Sequence, residues 1–233
     1  MNVLVIDVGG SSVKLLATGE TEPRKFDSGP DLTPTELVRR VAELTADWKY
    51  SRITLGIPAL IGPDGPEAEP GNLGSGWVGF DYAAAFGTFV RVVNDAAMQA
   101  LGAYDGGRML FLGLGTGLGS ALVTDQVVVP LELGSLPYSR DETMAERVGK
   151  AGLEAHGEER WQGAVRRVID VLRRAFEADY IVLGGGNAAI VDPLPDGVRR
   201  GGNDDAFAGG FRLWEERVVP HDLPPAAAWR VVR

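Results

Sequence analysis

The sequence contains no cysteine and only two histidines among its 233 residues. Without cysteine there can be no disulfide framework and no thiolate zinc site. Basic residues are also too few for a nucleic-acid-binding surface, because 23 Lys and Arg stand against 32 Asp and Glu, for a net charge of −9. No apolar run reaches the length of a membrane span, and the N-terminal one is too short for a signal-peptide core. We therefore expect a cytoplasmic globular protein that binds neither nucleic acid nor membrane.

Glycine, in contrast, is abundant at 32 residues, and it is clustered. Two clusters have the same setting between two predicted strands: Gly9-Gly10 between 1–7 and 12–18, and Gly115-Thr116-Gly117 between 109–114 and 120–124. A repeated strand, glycine turn and strand predicts a duplicated α/β fold. We place one lobe at 1–104 and the other at 105–203. A helix over 204–217 is expected to return to the first lobe, and 218–233 forms a tail.

Three further helices are predicted from apolar residues at helical spacing, at 35–48, 142–155 and 158–178.

The two glycine turns have the composition of phosphate-binding loops. Glycine lets backbone amides approach an anion closely, and the hydroxyls of Ser11, Ser12 and Thr116 can donate further hydrogen bonds. Lys14 adds a positive charge after the first turn, and Asp7 just before it suits a hydrated Mg²⁺ that bridges to phosphates. Either turn alone is more simply a tight hairpin. Two in one chain favour a phosphate clamp.

The pair Asn94-Asp95 lies where a predicted strand runs into a helix. Asn and Asp are preferred helix N-caps, and an acid in the first turn suits the helix dipole, so the pair can be purely structural. Alternatively, Asp95 can accept a proton from a hydroxyl that attacks phosphorus. Between two phosphate-type turns, the catalytic interpretation is the better one.

A third glycine cluster, Gly184-Gly185-Gly186, follows a predicted strand. Gly184, Gly186 and Ala189 match the spacing of a dinucleotide-binding fingerprint. Prolines at 193 and 195 leave no room for the long helix that this motif requires, and no segment fits a P-loop. We interpret the cluster as a turn of close approach beside a nucleotide base.

Two loops carry weaker signals for sugar binding. Asn72 and Trp77 offer an amide and an aromatic face, although a packed tryptophan is equally ordinary. Glu132 follows an apolar strand, and it can bind hydroxyls or simply face solvent.

Taken together, these segments resemble the ROK-family sugar kinases of the hexokinase–actin superfamily, and most of all the polyphosphate glucokinases. The matching segments run in the family's order: Asp7 to Lys14, Asn72 to Gly79, Asn94 to Ala96, Leu114 to Ser120, Val129 to Gly134, and Ile181 to Gly186. The resemblance implies a two-lobed, actin-like ATPase (ribonuclease H-like) fold with mixed sheets and a central cleft. It also implies a Mg²⁺-dependent kinase that uses ATP or polyphosphate to phosphorylate a hexose, and a homodimer.

The resemblance assigns a role to each matching residue. It implies that Asp95 is the catalytic base, that Asp7 organises Mg²⁺ through water, and that Asn72, Asn94, Asp95 and Glu132 bind the sugar. It further implies that the two turns bind the phosphates (Gly9, Gly10, Ser11, Ser12, Lys14, Gly115, Thr116, Gly117) and that Gly184, Gly185 and Gly186 bind the nucleotide.

One departure opens an alternative. The family pattern after Glu-Leu-Gly has a sugar-contacting His and Glu, where this chain has Ser135 and Pro137. Each lost partner weakens a sugar site by about 1–3 kcal/mol. The alternative is therefore a catalytically impaired sugar- or nucleotide-binding protein, or a kinase with a changed acceptor.

Overall fold

The computed structural model describes residues 1–124, 127–202, 204–215, 218–220 and 229–231. Its strands in chain order are β1 (Val3–Val8), β2 (Ser12–Ala17), β3 (Arg24–Asp27), β4 (Arg52–Ile57), β5 (Ile61–Gly62), β6 (Gly65–Pro66), β7 (Phe89–Asn94), β8 (Met109–Leu114), β9 (Leu118–Thr124), β10 (Val127–Leu131), β11 (Tyr180–Gly184), β12 (Val198–Arg200), β13 (Val218–Pro220) and β14 (Trp229–Val231).

The α-helices are α1 (Pro34–Leu44), α2 (Tyr82–Phe86), α3 (Asp95–Ala103), α4 (Met144–Val148), α5 (Lys150–His156), α6 (Glu158–Ala175) and α7 (Asp205–Arg212). Two 3₁₀-helices lie at Leu133–Ser135 and Gly186–Ile190. None of these helices is long and apolar enough to cross a membrane.

The described strands form two mixed sheets and the separate two-stranded pair β5-β6. The first mixed sheet has the order β3-β2-β1-β4-β7, in which β1, β4 and β7 are parallel, β2 is antiparallel to β1, and β3 is antiparallel to β2. The second has the order β12-β11-β8-β9-β10-β14-β13, in which β12, β11 and β8 are parallel. Each sheet opens with the predicted hairpin across a glycine turn. The predicted two-lobed α/β fold is thus confirmed, and the two short strands near the C-terminus lie at one edge of the second sheet.

The strands at the centre of the sheets are apolar because helices cover them. Every residue of β1 is buried, as the continuous run Val3 to Ile6 predicts. Helix α6 buries one stripe that includes Trp161, Val165 and Ile169 against the second sheet. Helix α3 packs in one core with strands from both sheets, so it links the two halves of the molecule.

Helix α7 packs against α3 and the first sheet. The Thr54 hydroxyl of β4 donates a hydrogen bond to the carbonyl oxygen of Gly210 at 2.7 Å, and it accepts one from the Trp214 indole at 2.9 Å. This helix is shorter than the predicted 204–217, because the chain turns at Leu213 and Trp214, and 216–217 lie outside the described residues. The lobe boundaries at 104 and 203 and the tail at 218 remain predictions.

The predicted helix over 142–155 is wrong, since it is two helices that break at Gly149. A β-carbon placed on Gly149 would lie 2.5 Å from the carbonyl oxygen of Thr116. The break therefore lets the junction of α4 and α5 lie directly on the second glycine turn. The other helices end earlier than predicted, α1 at Leu44 and α6 at Ala175.

Candidate active site

The first glycine turn joins β1 to β2 and is braced by the loop that follows β3. The amide of Gly9 donates to the carbonyl oxygen of Ser12 at 2.9 Å, closing the turn. Ser28 then donates twice, from its hydroxyl to the Gly9 carbonyl at 2.6 Å and from its amide to the Ser11 carbonyl at 3.2 Å. These bonds occupy carbonyl groups of the turn. Ser11 and Lys14 remain exposed.

The second glycine turn joins β8 to β9 and is held from behind by α5. The amide of Lys150 donates to the carbonyl oxygens of Gly115 and Thr116, at 3.0 and 3.3 Å. Within the turn, the Gly115 amide donates to the Gly117 carbonyl at 3.2 Å. Thr116, at the tip, is exposed.

The two glycine turns approach each other closely. A β-carbon placed on Gly10 would lie 2.8 Å from the hydroxyl oxygen of Thr116, and 3.7 Å from the side-chain nitrogen of Asn72. Only glycine fits at position 10 without a shift of its neighbours. One elongated anion can therefore contact both turns, and the exposed Asn72 lies beside the same point.

Asp7 and Asp95 lie at one edge of the first sheet, where its parallel strands end. Asp7 on β1 pairs in register with Gly56 on β4. The next strand, β7, ends at Asn94 and leads straight into α3, whose first residue is Asp95. A β-carbon placed on Gly56 would lie 2.5 Å from the terminal methyl group of Met98 and 3.6 Å from the Cα of Asp95, so α3 begins close to the sheet at this glycine.

The cap of α3 is Asn94, which frees Asp95 from that role. The side-chain oxygen of Asn94 accepts from the Ala97 amide at 3.0 Å, and its side-chain nitrogen donates to the Ala59 carbonyl at 3.1 Å. Asn94 is buried, and both polar ends of its amide have partners within the chain. The helix-capping role that the sequence allows for this pair therefore belongs to Asn94, and Asp95 lies half-buried beside it.

Two carboxyl groups act on a third at this site. The pKa of Asp95 is raised from 3.8 to about 7, first by burial and then by the charges of Asp7 and Glu132, while the backbone amides of Ala96 and Asp95 lower it. Burial also raises the pKa of Asp7, which Lys14 lowers in part. A buried carboxyl group with a pKa near neutrality is typical of a general base.

Glu132 lies immediately after β10 and before the 3₁₀-helix Leu133–Ser135. The residue is exposed overall, yet partial desolvation raises the pKa of its carboxyl group. Its charge raises the pKa of Asp95, so the two carboxyl groups lie within electrostatic range of each other.

The third glycine cluster reaches the second glycine turn from the side of β11. A β-carbon placed on Gly185 would lie 2.4 Å from the carbonyl oxygen of Leu114, and the Asn187 amide donates to the Gly115 carbonyl at 3.4 Å. Only the 3₁₀-helix Gly186–Ile190 follows, so the rejection of a dinucleotide fingerprint on account of the prolines is consistent with the structure.

Trp77 is a core residue. Its side chain is fully buried, and it packs with Leu32 and Leu73 in the first-lobe core. The weaker sequence hypothesis of an aromatic face for a sugar at this position is therefore wrong. The loop is ordered instead by Glu69, whose carboxylate accepts from the backbone amides of Trp77 and Val78.

The residues at the cleft can hold a hydrated cation. Among the described residues no cluster of three or more His, Asp or Glu forms a protein cage for a metal. Mg²⁺ needs no such cage, because it keeps several waters and takes one or two carboxylates together with substrate phosphates. Asp7 supplies a 7 % exposed carboxyl group to which no described residue donates a hydrogen bond. Its hard oxygen atoms fit the ion.

Sequence reasoning missed three residues that shape the site, namely Ser28, Gly56 and Ser120. Each acts through a contact with another segment of the chain. Of the three, only Gly56 gave a local signal, because a glycine within a strand marks a close approach.

Comparison with known proteins supports the resemblance. No family model matches the chain. The polyphosphate glucokinase of Mycobacterium tuberculosis is 28 % identical over 210 residues, which cover 80 % of this chain and 78 % of that protein.

Solved structures share the fold. The inorganic polyphosphate/ATP-glucomannokinase of Arthrobacter sp. strain KM superposes with a TM-score of 0.78 at 22 % identity, over 90 % of this chain and 96 % of that one. A ROK-family glucokinase from Streptomyces griseus, solved with glucose and AMPPNP, gives 0.69 at 14 % identity, over 91 % and 99 %. The comparisons confirm the predicted resemblance to polyphosphate glucokinases, and the solved structures show that the chain shares the fold of ROK-family sugar kinases.

Proposed function

We propose that this chain, a relative of the polyphosphate glucokinases on the ROK-family fold, transfers a phosphoryl group from ATP or polyphosphate to a hexose hydroxyl, with Asp95 as general base. One observation carries the proposal. Two glycine turns from opposite sheets meet at Gly10 and Thr116, and a carboxyl group with a pKa of about 7 lies at the same cleft. A donor phosphate chain can be held by both turns while the acceptor reaches the base.

The reaction moves one proton and one phosphoryl group. Asp95 accepts the proton of the attacking hydroxyl as a bond forms between the sugar oxygen and the terminal phosphorus. The bond from that phosphorus to its bridging oxygen breaks, and ADP or a shortened polyphosphate leaves. Burial supports this role, because it keeps the pKa of Asp95 high enough for the carboxylate to accept a proton near neutral pH.

We assign the phosphates of the donor to the turns. The amides and hydroxyls of Gly9 to Ser12 and of Gly115 to Gly117 would contact them, and Lys14 would add charge. The adenosine of ATP would lie beside Gly184 to Gly186, of which Gly185 approaches Leu114, the residue before the second turn. Asp7 would hold a hydrated Mg²⁺, whose positive charge would offset the negative charge of the phosphates.

We assign the acceptor to the opposite side of the cleft. Glu132 is the best-placed sugar ligand, because its carboxylate has no hydrogen-bond partner among the described residues and acts on the pKa of Asp95. Asn94 can offer only the second proton of its side-chain nitrogen and the second lone pair of its side-chain oxygen, since each atom already makes one hydrogen bond. The side-chain nitrogen of Asn72 lies 3.7 Å from a β-carbon placed on Gly10, so its contact would be at the phosphate end of the cleft.

The alternative function, a binding protein without turnover, is favoured by one observation. Ser135 stands in place of a sugar-contacting His, and its hydroxyl donates to the carbonyl oxygen of Glu132 at 2.7 Å instead of pointing to a ligand. A weakened sugar site could leave phosphate binding intact.

A product assay separates the two functions. Glucose, mannose and N-acetylated hexoses are each incubated with the protein, Mg²⁺ and either ATP or polyphosphate, and the sugar phosphate is measured. We expect at least one pair to turn over, and Asp95→Asn to slow it by about 10²–10⁴. If no sugar is phosphorylated while ATP or polyphosphate still raises the Tm, the binding protein is the correct function.

The homodimer and the cytoplasmic location implied by the resemblance stay predictions. Sedimentation of the purified chain measures the first.

A further inference from the structure

We infer that Ser120 is a positioning residue that fixes Glu132, and with it acceptor affinity, relative to the second glycine turn. The inference rests on the proposed function and names a residue whose part in it no motif states. Ser120 lies on β9, and it is 1 % exposed, so it contacts no ligand itself.

The hydroxyl of Ser120 holds both neighbours of Glu132. It donates to the carbonyl oxygen of Leu131 at 2.8 Å and accepts from the amide of Leu133 at 3.1 Å. The two bonds bracket Glu132 and fix the backbone where β10 ends and the 3₁₀-helix begins. A buried amide or carbonyl that loses its hydrogen-bond partner is destabilised, so this backbone cannot readily rotate while Ser120 is present.

A second serine secures the same backbone from the other side. The amide and the hydroxyl of Ser135 both donate to the carbonyl oxygen of Glu132, at 3.1 and 2.7 Å. With these backbone groups engaged, the carboxylate of Glu132 is the part left without a hydrogen-bond partner among the described residues. The backbone is thus fixed, and the carboxylate remains available to a ligand.

Strand β9 connects this support to the rest of the site. It begins at Leu118, directly after the second glycine turn. A β-carbon on the next residue, Gly119, would lie 3.1 Å from the β-carbon of Ala96, the neighbour of Asp95. Ser120 follows and pairs in register with Leu131. The contacts to the donor turn, to the neighbour of the base and to the acceptor carboxylate's backbone belong to three different residues, so a change at Ser120 should act on the acceptor alone.

Ser120→Ala tests this, because it removes both hydrogen bonds and little volume. We expect the KM for the sugar to rise by roughly tenfold, the size of one lost hydrogen bond of about 1.4 kcal/mol. The KM for the phosphoryl donor should stay within about twofold. Ser120→Thr keeps the hydroxyl and should restore the sugar KM.

The matched control is Thr45→Val. Thr45 is also buried, and its hydroxyl also makes two hydrogen bonds, to the carbonyl of Val41 and to the hydroxyl of Tyr50. We expect this variant to lower the Tm without changing either KM. A loss of stability alone would then not explain a raised sugar KM in Ser120→Ala.

A double-mutant cycle shows whether Ser120 acts through Glu132. In a Glu132→Ala background, Ser120→Ala should change the sugar KM by less than about twofold. Independent effects in the cycle, or an unchanged sugar KM in the folded single variant, would overturn the inference. If the wild-type chain phosphorylates no sugar, the proposed function fails instead, and calorimetric titration of the same variants with glucose still reports on Ser120.

Discussion

Replacing Asp95 by asparagine should slow turnover by about 10²–10⁴ and, at the same time, make the folded protein more stable above pH 7. The carboxyl group of Asp95 has a pKa of about 7 in the folded chain, against 3.8 when it is unperturbed. A folded pKa above the unfolded value means that ionisation opposes folding. The cost is absent below pH 3.8, grows between pH 3.8 and about 7, and is complete above that.

The pKa difference sets the upper limit of the effect. A shift from 3.8 to about 7 corresponds to about 4 kcal/mol. The helix dipole offsets roughly 0.3–1 kcal/mol, because a charged acid at the start of α3 is favourable there. Since Asp95 is half-buried rather than sealed, we expect a gain of about 2 kcal/mol for Asp95→Asn at pH 8, which is roughly 4–8 °C in Tm for a chain of this length.

Thermal unfolding of the wild type and Asp95→Asn at pH 8 and pH 5 measures this gain. The advantage of the variant should be largest at pH 8 and shrink toward pH 5. Asp64→Asn, at an exposed turn between β5 and β6, serves as a control for removing one negative charge. An equal Tm difference at both pH values, or a variant less stable than the wild type at pH 8, would refute the reasoning.

The remaining predictions concern the base, the turns and the sheet edge. For the wild type, kcat/KM for the sugar should fall as the pH drops through about 7, because protonated Asp95 cannot accept a proton, and a flat profile from about pH 5 to 8 would contradict this. Gly10→Ala should raise the KM for the donor by roughly tenfold, because its β-carbon would lie 2.8 Å from the Thr116 hydroxyl and the two turns would have to separate. An unchanged donor KM in steady-state kinetics would show that donor binding does not depend on the close approach of the turns. Gly56→Ala should cost less than about 1 kcal/mol in denaturant unfolding and leave kcat within about twofold, because its β-carbon would meet the end of the flexible Met98 side chain at 2.5 Å and the Cα of Asp95 at an ordinary 3.6 Å. A larger loss of stability or of rate would show that the Met98 side chain cannot give way at this edge.

Local patterns were sufficient where a single segment decides the structure. The hairpins around Gly9-Gly10 and Gly115–Gly117 follow from apolar runs interrupted by glycine, and both form. The start of α3 at Asn94-Asp95 follows from capping preferences, and Asn94 is the cap.

Contacts between distant segments could not be predicted from local sequence patterns. The break at Gly149 is set by the approach of the helix junction to Thr116, and helical periodicity in the segment contains no sign of it. The burial of Trp77 depends on Leu32 and Leu73 packing around it. The two hydrogen bonds of Ser120 exist only because β9 and β10 pair in one register.

Hydrogen exchange with the donor bound tests the central claim most directly. Asp95→Asn, which should bind the donor without consuming it, is compared with and without ATP or polyphosphate in the presence of Mg²⁺. We predict slower amide exchange in both glycine turns, at 9–12 and at 115–117, for the same donor. Slower exchange in one turn alone, or in neither when the donor is at saturating concentration, would contradict the account that both turns hold one phosphate chain.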